Sequence, residues 1–242
     1  MFGNIFRSGE SPSRVPDGVR IYAVGDIHGC AHLLDQLMVQ IASEEKDGAE
    51  ARIVFLGDYI DRGPDSRGVI DRLLAIRRER PQTVFLKGNH EGVFLDYLDA
   101  PGDLNWVKWG GEETAESYDV DPSASPDEIV RQLRESVPTT HIEFLRGLDL
   151  TYLCGDYLFV HAGLRPGVPL AEQVEQDLLW IRGEFHRAPK ELRPEKIVVH
   201  GHQPLRKALD AGWRIDIDTG ACFTGKLTAV VLEGAARRFI ST

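Results

Sequence analysis

Short apolar runs alternate with longer amphipathic segments along the first third of the chain. The runs over 19–25, 52–57 and 83–88 have the apolar character of buried strands, and each ends in glycine. Between them, the segments 32–43 and 66–80 repeat their apolar residues at helical spacing. Strands that alternate with helices in this way predict a βαβαβ unit with parallel strands and right-handed crossovers.

The second of these helices carries signals at both ends. Ser66 is the expected N-cap, because its hydroxyl can accept a hydrogen bond from a backbone N–H of the first turn. Pro81 is expected to end the helix, because proline has no N–H to donate to the helical ladder. The boundaries of this helix are therefore predicted from its chemistry as well as from its period.

Strand-like segments dominate the second half. The segments 151–154 and 157–160 flank Gly155-Asp156, which predicts a β-hairpin. More such segments follow, over 196–200, 214–218, 227–232 and 237–240. We therefore expect a largely antiparallel sheet in this half. The chain has no internal repeat and no strong linker, so residues 19–242 are predicted to form one domain behind a flexible leader, 1–18.

The stretch over 99–138 differs from both halves. It is acidic, contains several prolines, and carries Trp106 and Trp109 next to a pair of glycines. This composition predicts short helices and loops inserted between the two halves of the sheet structure. Two interpretations remain open: the insert shapes access to a substrate, or it is a helical cap held together by its tryptophans.

The composition is that of an ordinary globular protein. The chain has 242 residues, of which 42% are hydrophobic and 27% charged, and no apolar run reaches the ~20 residues of a membrane span. The net charge of −10 argues against a surface for nucleic-acid polymers. Cys30, Cys154 and Cys222 lack metal-binding or redox spacing and are expected to be reduced thiols. A cytoplasmic protein without a membrane partner is expected.

Five short segments, in a fixed order, carry side chains that bind metal ions. They are Gly-Asp-Ile-His-Gly at 25–29, Gly-Asp-Tyr-Ile-Asp-Arg-Gly at 57–63, Gly-Asn-His-Glu at 88–91, His-Ala-Gly at 161–163 and His-Gly-His at 200–202. Together they supply six candidate ligands, Asp26, His28, Asp58, Asn89, His161 and His202. These donors suffice for two divalent cations that share a carboxylate, which is the usual arrangement for attack on phosphorus. The first three segments follow strands, where parallel sheets gather their ligands.

Two local patterns refine this ligand set. In Asp26-Ile27-His28 the spacing of two residues is expected to point both ligands the same way from extended backbone. In the last segment His200 competes with His202. Position 200 still belongs to the strand-like run and position 202 lies just beyond it, which favours His202. His32, His141 and His186 match no segment and are expected on the surface or at helix ends.

These segments resemble those of the phosphoprotein phosphatase branch of the calcineurin-like metallophosphoesterases. The resemblance covers about residues 19–233 and extends to Trp180-Ile181-Arg182 and to the tail around Asp218-Thr219-Gly220. It is strongest to the small bacterial and phage-type serine/threonine protein phosphatases, with the symmetrical dinucleoside tetraphosphatases as near relatives. The family implies an α/β fold in which two packed mixed sheets are flanked by helices, a four-layer αββα sandwich.

The resemblance also implies roles for the metal ligands. Asp26 and His28 would bind the first ion, Asp58 would bridge both ions, and the second ion would be completed by Asn89, His161 and His202. Because the set contains oxygen and imidazole donors and no thiolate, it favours ions such as Mn, Fe, Zn or Mg over a structural zinc site. Two manganese ions are the preferred assignment, with Fe, Zn, Mg, Ni or Co as alternatives.

The catalytic hypothesis from the sequence follows the same resemblance. A hydroxide held between the metals would attack phosphorus, which removes the need for a serine or cysteine nucleophile. His90 would protonate the leaving oxygen as general acid, and Asp61 would orient it and keep it charged. Arg62 and Arg182 would clamp the phosphoryl oxygens. The alternatives for Asp61 are a simple turn residue or a surface contact with Arg62.

Several substrates remain open. The preferred function is hydrolysis of phosphoserine or phosphothreonine in proteins, with phosphotyrosine or aryl phosphates as further substrates. The alternatives are a symmetrical dinucleoside tetraphosphate hydrolase, a broad small-molecule phosphomonoesterase and a non-catalytic binding module. A dinucleotide would need aromatic faces for its bases, and Trp106, Trp109 and Phe223 are the candidates. No long C-terminal regulatory extension and no calmodulin-binding pattern are found, so no regulatory subunit is expected.

Overall fold

The computed structural model describes residues 13–45, 48–100 and 106–242 and contains two five-stranded sheets. The first sheet has the order β10-β9-β1-β2-β3. Its strands are β1 (Val19–Val24), β2 (Glu50–Phe55), β3 (Val84–Phe85), β9 (Thr228–Glu233) and β10 (Ala236–Ser241). The predicted parallel unit is present, because β1 pairs in parallel with β2 and β2 with β3.

The second sheet has the order β4-β5-β6-β8-β7. Its strands are β4 (Thr151–Cys154), β5 (Tyr157–Val160), β6 (Ile197–His200), β7 (Leu209–Asp210) and β8 (Arg214–Asp216). The predicted hairpin is formed by β4 and β5. The predicted antiparallel character is wrong, because β5, β6 and β8 pair in parallel and β9 and β10 join the first sheet. Helical segments within 170–192 carry the chain from β5 back to the start of β6, whereas β7 and loops connect β6 to β8. The strand segments alone do not reveal these crossovers.

Nine helices lie among the described residues. They are α1 (Ala31–Glu44), α2 (Ser66–Glu79), α3 (Asn89–Asp99), α4 (Gly111–Ser117), α5 (Pro126–Ser136), α6 (Thr139–Arg146), α7 (Glu175–Trp180), α8 (Gly183–His186) and α9 (Ala221–Thr224). Short 3-10 turns occur at Val107–Trp109, Leu170–Glu172 and Lys190–Leu192. No helix in the described ranges is long and apolar enough to cross a membrane.

The strands of the first sheet separate two apolar layers. In β1 the side chains of Ile21 and Ala23 pack towards the second sheet, where they meet residues such as Phe159. Tyr22 and Val24 point the other way and pack against the helices. A third apolar cluster lies between the outer face of the second sheet and α7 and α8. The predicted sandwich of two mixed sheets flanked by helices is thus confirmed.

The N-terminal end of helix α2 differs from the prediction, and its C-terminal end agrees with it. The N-cap of α2 is Asp65, whose carboxylate accepts the N–H of Gly68 at 2.8 Å, and not Ser66. The hydroxyl of Ser66 is already engaged, because it accepts the N–H of Asp61 at 3.0 Å. Helix α2 ends before Pro81, as expected.

The predicted leader and insert are described only in part. Residues 1–12 of the leader and 101–105 of the insert lie outside the described residues. Within the leader, Val15 is buried and its N–H donates to the carbonyl of Gly234 at 3.1 Å. Within the insert, short helices do follow one another, from the 3-10 turn at Val107–Trp109 to α5. The insert therefore belongs to the helical layer that covers the first sheet.

Candidate active site

The candidate ligands follow β1, β2, β3, β5 and β6, in loops or, for Asn89, at the first residue of α3, and these segments meet at one end of the two sheets. The N–H groups of Ile27 and His28 donate to the carbonyl of Asp58 at 3.0 and 2.9 Å, which joins the first loop to the second. The N–H of His202 donates to the carboxylate of Asp26 at 3.1 Å, which joins the last loop to the first. Backbone hydrogen bonds thus bring together segments that are far apart in sequence.

A buried carboxylate that the sequence analysis did not assign holds the second and third loops. Glu91 accepts the backbone N–H of Asp58 at 2.9 Å, of Tyr59 at 2.7 Å and of Gly88 at 2.8 Å. Gly88 is the N-cap of α3 and Glu91 its third residue, so the Glu91 carboxylate caps the N–H of Gly88 as the glutamate of a capping box does, while glycine has no side chain to form the reciprocal bond. The spacing from Gly88 to Glu91 was the signal in the sequence that could have identified it.

The backbone itself is unusual at the site. His28, Asp58, Asp61, Arg62 and His202 all have positive φ, between 45° and 71°, in the left-handed region that residues with a Cβ rarely adopt. Such conformations cluster at functional sites because the surrounding structure holds them in place. The expectation of extended backbone through His28 is therefore wrong: the chain turns at this residue to deliver its side chain.

The carboxylate of Asp58 lies between two sets of donors. Its Oδ2 is 3.5 Å from Nε2 of His28, and its Oδ1 is 3.5 Å from Nε2 of His161. One oxygen therefore faces each set, which is the geometry expected of a carboxylate shared by two cations. The pKa of Asp58 is lowered, because the histidines around it, His161 and His90 first, outweigh the effect of burial.

The second set of donors converges on His161. Its Nε2 lies 3.0 Å from Oδ1 of Asn89 and 3.2 Å from Nδ1 of His202. The other ring nitrogen, Nδ1, donates to the carbonyl of Leu56 at 2.9 Å, so Nε2 carries the free lone pair. His28 is held in the same tautomer, with Nδ1 donating to the carbonyl of Ile60 at 2.9 Å. Both imidazoles thus present their ligating nitrogen to Asp58.

Asp26 lies near Asp58 and has a further acidic neighbour in Asp218. Burial, together with the carboxylates of Asp218 and Asp58, raises the pKa of Asp26 well above its ordinary value. Burial also raises the pKa of Asp218 to about 6. Asp218 was named in the sequence analysis only as part of the tail segment. A Cβ at Gly201 would lie 2.0 Å from Oδ1 of Asp26, so only glycine leaves room for this carboxylate.

This arrangement fits divalent cations. Crowded buried carboxylates repel one another, and cations between them would relieve that repulsion. Two triads of potential ligand atoms share Asp58, one with His28 and His90 and the other with His161 and His202. The donors are carboxylate oxygen, amide oxygen and imidazole nitrogen, which suit Mn, Fe, Zn or Mg. The residues are therefore a candidate dinuclear metal site.

His90 and Asp61 form a closed pair beside Asp58. Nδ1 of His90 lies 2.7 Å from Oδ2 of Asp61. Asp61 is fully buried and also accepts the hydroxyl of Thr114 at 2.7 Å and Nε1–H of Trp106 at 3.2 Å. Burial alone would lower the pKa of His90, but the carboxylates of Asp58 and Asp61 outweigh it and the pKa is raised. The buried position of Asp61 excludes a surface turn.

The insert supports this pair and the neighbouring arginine. Trp106 is fully buried and is a hydrogen-bond donor to Asp61, so it offers no face to a base. The N–H of Arg62 donates to the carbonyl of Gly110 at 2.8 Å. Gly110 has φ 104°, and a Cβ there would lie 2.6 Å from Cγ of Arg62. The insert thus packs through Trp106 and also positions site residues.

Two arginines flank the two donor sets. Nη1 of Arg62 lies 2.7 Å from Nε2 of His28, and Nε of Arg182 lies 3.0 Å from Nε2 of His202. The two guanidinium groups therefore lie on opposite sides of Asp58. Planar guanidinium groups in such positions can each bind two phosphoryl oxygens at once.

A cavity of about 650 Å³ opens beside Asn89. It is lined by charged, polar and aromatic side chains, among them Lys87, Asp96, Trp109, Glu175 and Trp180. Trp109 is 49% exposed, and its ring centroid lies 6.3 Å from that of Trp180. Phe223 is 71% exposed and does not line this cavity. Of the three aromatic candidates from the sequence, only Trp109 lines the cavity.

The remaining histidines fall into three environments. His32 is exposed, as expected. His141 is buried, against expectation, because Nδ1 bonds to the hydroxyl of Tyr118 at 2.8 Å and Nε2 to Asp71 at 3.1 Å. His186 is partly buried and lies next to His200. Neither of these two belongs to the triads around Asp58.

Comparison with known proteins gives consistent findings. A family model described as calcineurin-like phosphoesterase matches residues 19–231. The chain is 30% identical over 229 residues to the asymmetrical bis(5′-nucleosyl)-tetraphosphatase PrpE of Bacillus mycoides, covering 86% of this chain and 88% of that protein. It is 31% identical over 220 residues to serine/threonine-protein phosphatase 1 of Salmonella typhimurium, covering 88% and 92%.

A solved structure shares the fold. The crystal structure of a putative diadenosine tetraphosphatase superposes with a TM-score of 0.65 and 23% sequence identity, and the match covers 96% of this chain and 98% of the other. At this identity the similarity is evidence for the fold alone. The sequence relatives therefore include two differently named activities on one architecture.

Proposed function

We propose that this chain, which belongs to the calcineurin-like phosphoesterase family, removes phosphate from phosphorylated proteins. Family membership confirms the resemblance of its motifs and makes it a metallophosphoesterase, a metal-dependent hydrolase of phosphate esters. The finer proposal is a phosphomonoesterase for phosphoserine and phosphothreonine. The observation that carries the chemistry is the position of Asp58, with one carboxylate oxygen 3.5 Å from an imidazole of each donor set.

The roles proposed for the metal ligands follow from the two donor sets. Asp26 and His28 would hold one cation. Asn89, His161 and His202 would hold the other, and Asp58 would bind both. Two divalent cations, when bound, would supply Lewis acidity and a water acidic enough to act as nucleophile near neutral pH. Manganese is the proposed ion, because hard oxygen donors and imidazoles are mixed in this set.

His90 is proposed as the general acid. Its Nδ1 is occupied by Asp61 at 2.7 Å, so the proton available to a leaving group is the one on Nε2. Asp61 keeps the ring oriented and favours its charged form. Hydrogen bonds from Thr114 and Trp106 keep Asp61 itself in place. The pair can therefore deliver a proton without first reorganising.

Arg62 and Arg182 are proposed to bind the phosphoryl group. Their guanidinium groups contact the two donor sets from opposite sides. A phosphate placed against Asp58 would be within reach of both. A guanidinium group is positively charged, so its hydrogen bonds to the phosphoryl oxygens strengthen as negative charge develops on them. Binding and stabilisation of the transition state would thus use the same two side chains.

The cavity beside Asn89 supports a peptide substrate. Lys87 and Glu175 form an ion pair at its wall, with their charged atoms 2.6 Å apart, and Asp96 adds a further carboxylate. A wall with charges of both signs suits the polar residues that flank a phosphorylated serine. The serine/threonine-protein phosphatase that is 31% identical supports the same substrate class. Within this proposal the enzyme works in the cytoplasm, where its free cysteines stay reduced.

A second candidate function is hydrolysis of dinucleoside tetraphosphates. It is favoured by the exposed ring of Trp109, which lines the cavity beside Asn89 together with Trp180. A nucleobase could stack on such a ring, at a free-energy gain of about 1–3 kcal/mol. The relatives named PrpE support this candidate and are termed asymmetrical, so the assay must distinguish both cleavage patterns.

The deciding experiment compares three substrates on the manganese-loaded protein: a phosphoserine peptide, a phosphotyrosine peptide and diadenosine tetraphosphate. The proposal predicts the highest kcat/KM on the phosphoserine peptide. Release of two diphosphates would identify symmetrical cleavage, and release of a triphosphate with a monophosphate would identify asymmetrical cleavage. A preference for the tetraphosphate by either route would overturn the proposal. The Asp58→Asn variant, purified in parallel, controls for contaminating phosphatases.

One pair of variants tests the role of the cavity. Trp109→Ala should lower kcat/KM for the tetraphosphate by about tenfold and should change the peptide activity less. Phe223→Ala is the matched control, because Phe223 is an exposed aromatic residue that does not line the cavity. Equal losses in both variants would mean that the cavity does not distinguish substrates.

A further inference from the structure

A group of polar side chains behind the candidate active site contains buried atoms without hydrogen-bond partners. In the described part of the chain, four buried side-chain polar atoms have no hydrogen-bond partner: Glu113 Oε2, His186 Nε2, Arg214 Nε and Asp216 Oδ1. Three of the four belong to one group of neighbours. Buried unpaired groups are costly, and a cluster of them in a folded protein indicates a bound ion or ordered water.

The geometry of this group suits a metal ion. One ring nitrogen of His186, one of His200 and one carboxylate oxygen of Asp216 all lie within 4.8 Å of one another. His200 and Asp216 are direct neighbours in the register of β6 and β8. Nδ1 of His200 donates to the carbonyl of Gly201 at 3.1 Å, which leaves the lone pair on Nε2. His186 reaches them from the end of α8.

We propose that His186, His200 and Asp216 form a third metal site, separate from the donor sets around Asp58, which binds one first-row transition ion. Two imidazoles and one carboxylate are a known ligand set for zinc, with a fourth position left for water. The absence of a further hard oxygen donor among the three disfavours magnesium and calcium. Zinc is therefore the ion that this set suits best.

The charge state of the histidine on α8 agrees with this assignment. Burial, reinforced by the guanidinium groups of Arg214 and Arg187, lowers the pKa of His186 to about 4. The ring is therefore neutral at neutral pH, and the neutral imidazole is the form that binds metals. A proton need not be displaced before an ion binds to it.

Arg214 competes for the same position. Its Nη1 lies 3.2 Å from Nε2 of His200 and 3.6 Å from Oδ2 of Asp216, so it now occupies part of the space between the ligands. A guanidinium and a metal ion cannot share this space, because both are cations. The ring of Trp213, whose centroid lies 5.8 Å from Cζ of Arg214, offers a surface onto which the guanidinium can withdraw.

A metal ion bound here would stabilise the backbone segments that lead into the candidate active site. It would tie α8 to strands β6 and β8. Arg182 precedes His186 by four residues, and His202 follows His200 by two. The ion would therefore hold the backbone next to the proposed phosphate-binding Arg182 and next to the proposed metal ligand His202. The three residues would position the site and would not contact the substrate.

Zinc stoichiometry tests the site directly. Bound metal is removed from the full-length protein with a chelator, and the protein is then dialysed against zinc. The zinc bound per protein is measured by inductively coupled plasma mass spectrometry. The His186→Ala variant should bind one equivalent less than the wild type, whatever number the Asp58 sets bind. His32→Ala is the matched control, because His32 is exposed and belongs to no cluster. Equal zinc content in His186→Ala and wild type would overturn the proposal.

A second comparison separates a shared site from general damage. Asp216→Asn should lose the same single equivalent, and the double variant His186→Ala/Asp216→Asn should lose no more than either single variant. The zinc-dependent rise in Tm of wild type should be smaller in His186→Ala even if that variant is less stable without metal. Losses that add up to two equivalents, or an undiminished rise in Tm, would contradict a shared ion.

The competing arginine gives a test in the opposite direction. Arg214→Gln removes the guanidinium from the ligands and should raise the zinc affinity by about tenfold or more, since a hydrogen bond to a charged group has to be broken in the wild type. In a crystal of this variant soaked in zinc, an anomalous peak should lie between His186, His200 and Asp216. Unchanged or weaker affinity, or ordered water alone at this position, would overturn the proposal.

Discussion

The sets around Asp58 and the group of His186, His200 and Asp216 contain the same residue types but are built differently. Among the candidate ligands, His28, Asp58 and His202 have left-handed backbone, and both oxygens of Asp58 face an imidazole at 3.5 Å. His200 and Asp216 lie in regular strands, and one oxygen of Asp216 has no partner in the described residues.

The two clusters differ in the groups that surround their ligands, and these groups determine whether a cluster can be catalytic. The Asp58 sets have an acid pair, His90 with Asp61, and two arginines beside them. The cavity beside Asn89 opens next to the second donor set. In the group around His200, the guanidinium of Arg214 points at the ligands, with Nη1 3.2 Å from Nε2 of His200. His200 precedes the loop that carries His202. Ligand type alone therefore does not identify chemistry, whereas loop position and neighbouring groups do.

The largest expected effect comes from Asp58→Asn, which removes the charge shared by the two donor sets. Neutral amide oxygen cannot offset the repulsion between two cations, so bound metal should be lost and kcat/KM should fall by on the order of 10³-fold or more. Metal analysis and steady-state kinetics measure both. Asp35→Asn, at an exposed carboxylate on α1, is the control. Full retention of both ions would contradict the bridging role.

His90→Asn should give the next largest effect. Loss of the general acid should lower kcat by about 10²–10⁴-fold on an alkyl phosphate such as phosphoserine, with metal content unchanged. On an aryl phosphate, whose leaving group needs little protonation, the loss should be much smaller. Parallel kinetics on the two substrates provide the measurement. Equal losses on both would show that His90 does not act by donating a proton.

Asp61→Asn should have a smaller effect, of about 10–100-fold, because it acts through His90. The pKa of His90 is raised in part by Asp61, and a general acid is active only while protonated. Activity should therefore fall as pH rises through the pKa of His90, and in Asp61→Asn this fall should begin at lower pH. The pH profile of kcat is the readout. An unmoved alkaline limb would remove Asp61 from the mechanism.

The smallest effect is expected far from both clusters, at His141. Burial lowers its pKa, so the folded protein favours the neutral ring that bonds Tyr118 and Asp71. Its contribution is present above the ordinary histidine pKa of about 6.5 and is lost as pH falls below that value. The unfolding free energy of the wild type, measured with urea, should fall between pH 7.5 and pH 5.5. In His141→Gln this fall should be smaller, by under about 1 kcal/mol. A pH dependence in His141→Gln identical to that of the wild type would contradict this.

Much of the first half could be predicted from the sequence, because its signals are local. The helical period of α1 and α2 and the apolar run of β1 each follow from neighbouring residues. The glycine-rich segments after those strands also placed Asp26 and Asp58 at the correct end of the sheet. Of the predicted third strand, however, only Val84 and Phe85 pair with β2 as strand β3, and Leu86 forms an isolated bridge with Asp149.

The remaining features depend on contacts between distant segments. The direction of β6 relative to β5 is decided by the chain between them, and the burial of His141 by Tyr118 and Asp71 from two other parts of the helical layer. The role of Trp106 as a donor to Asp61 depends on how the insert folds back over the second loop. None of these contacts leaves a periodic or local signal in the sequence.

The central claim is that Asp58 joins two metal ions. Its most direct test is an X-ray structure of the manganese-loaded protein with anomalous data at the manganese edge. Two peaks are predicted, one on each side of the Asp58 carboxylate and about 3.5–4 Å apart. One of them should lie among Asn89, His161 and His202 and the other beside His28. A single peak, or two peaks that do not share Asp58, would contradict the claim.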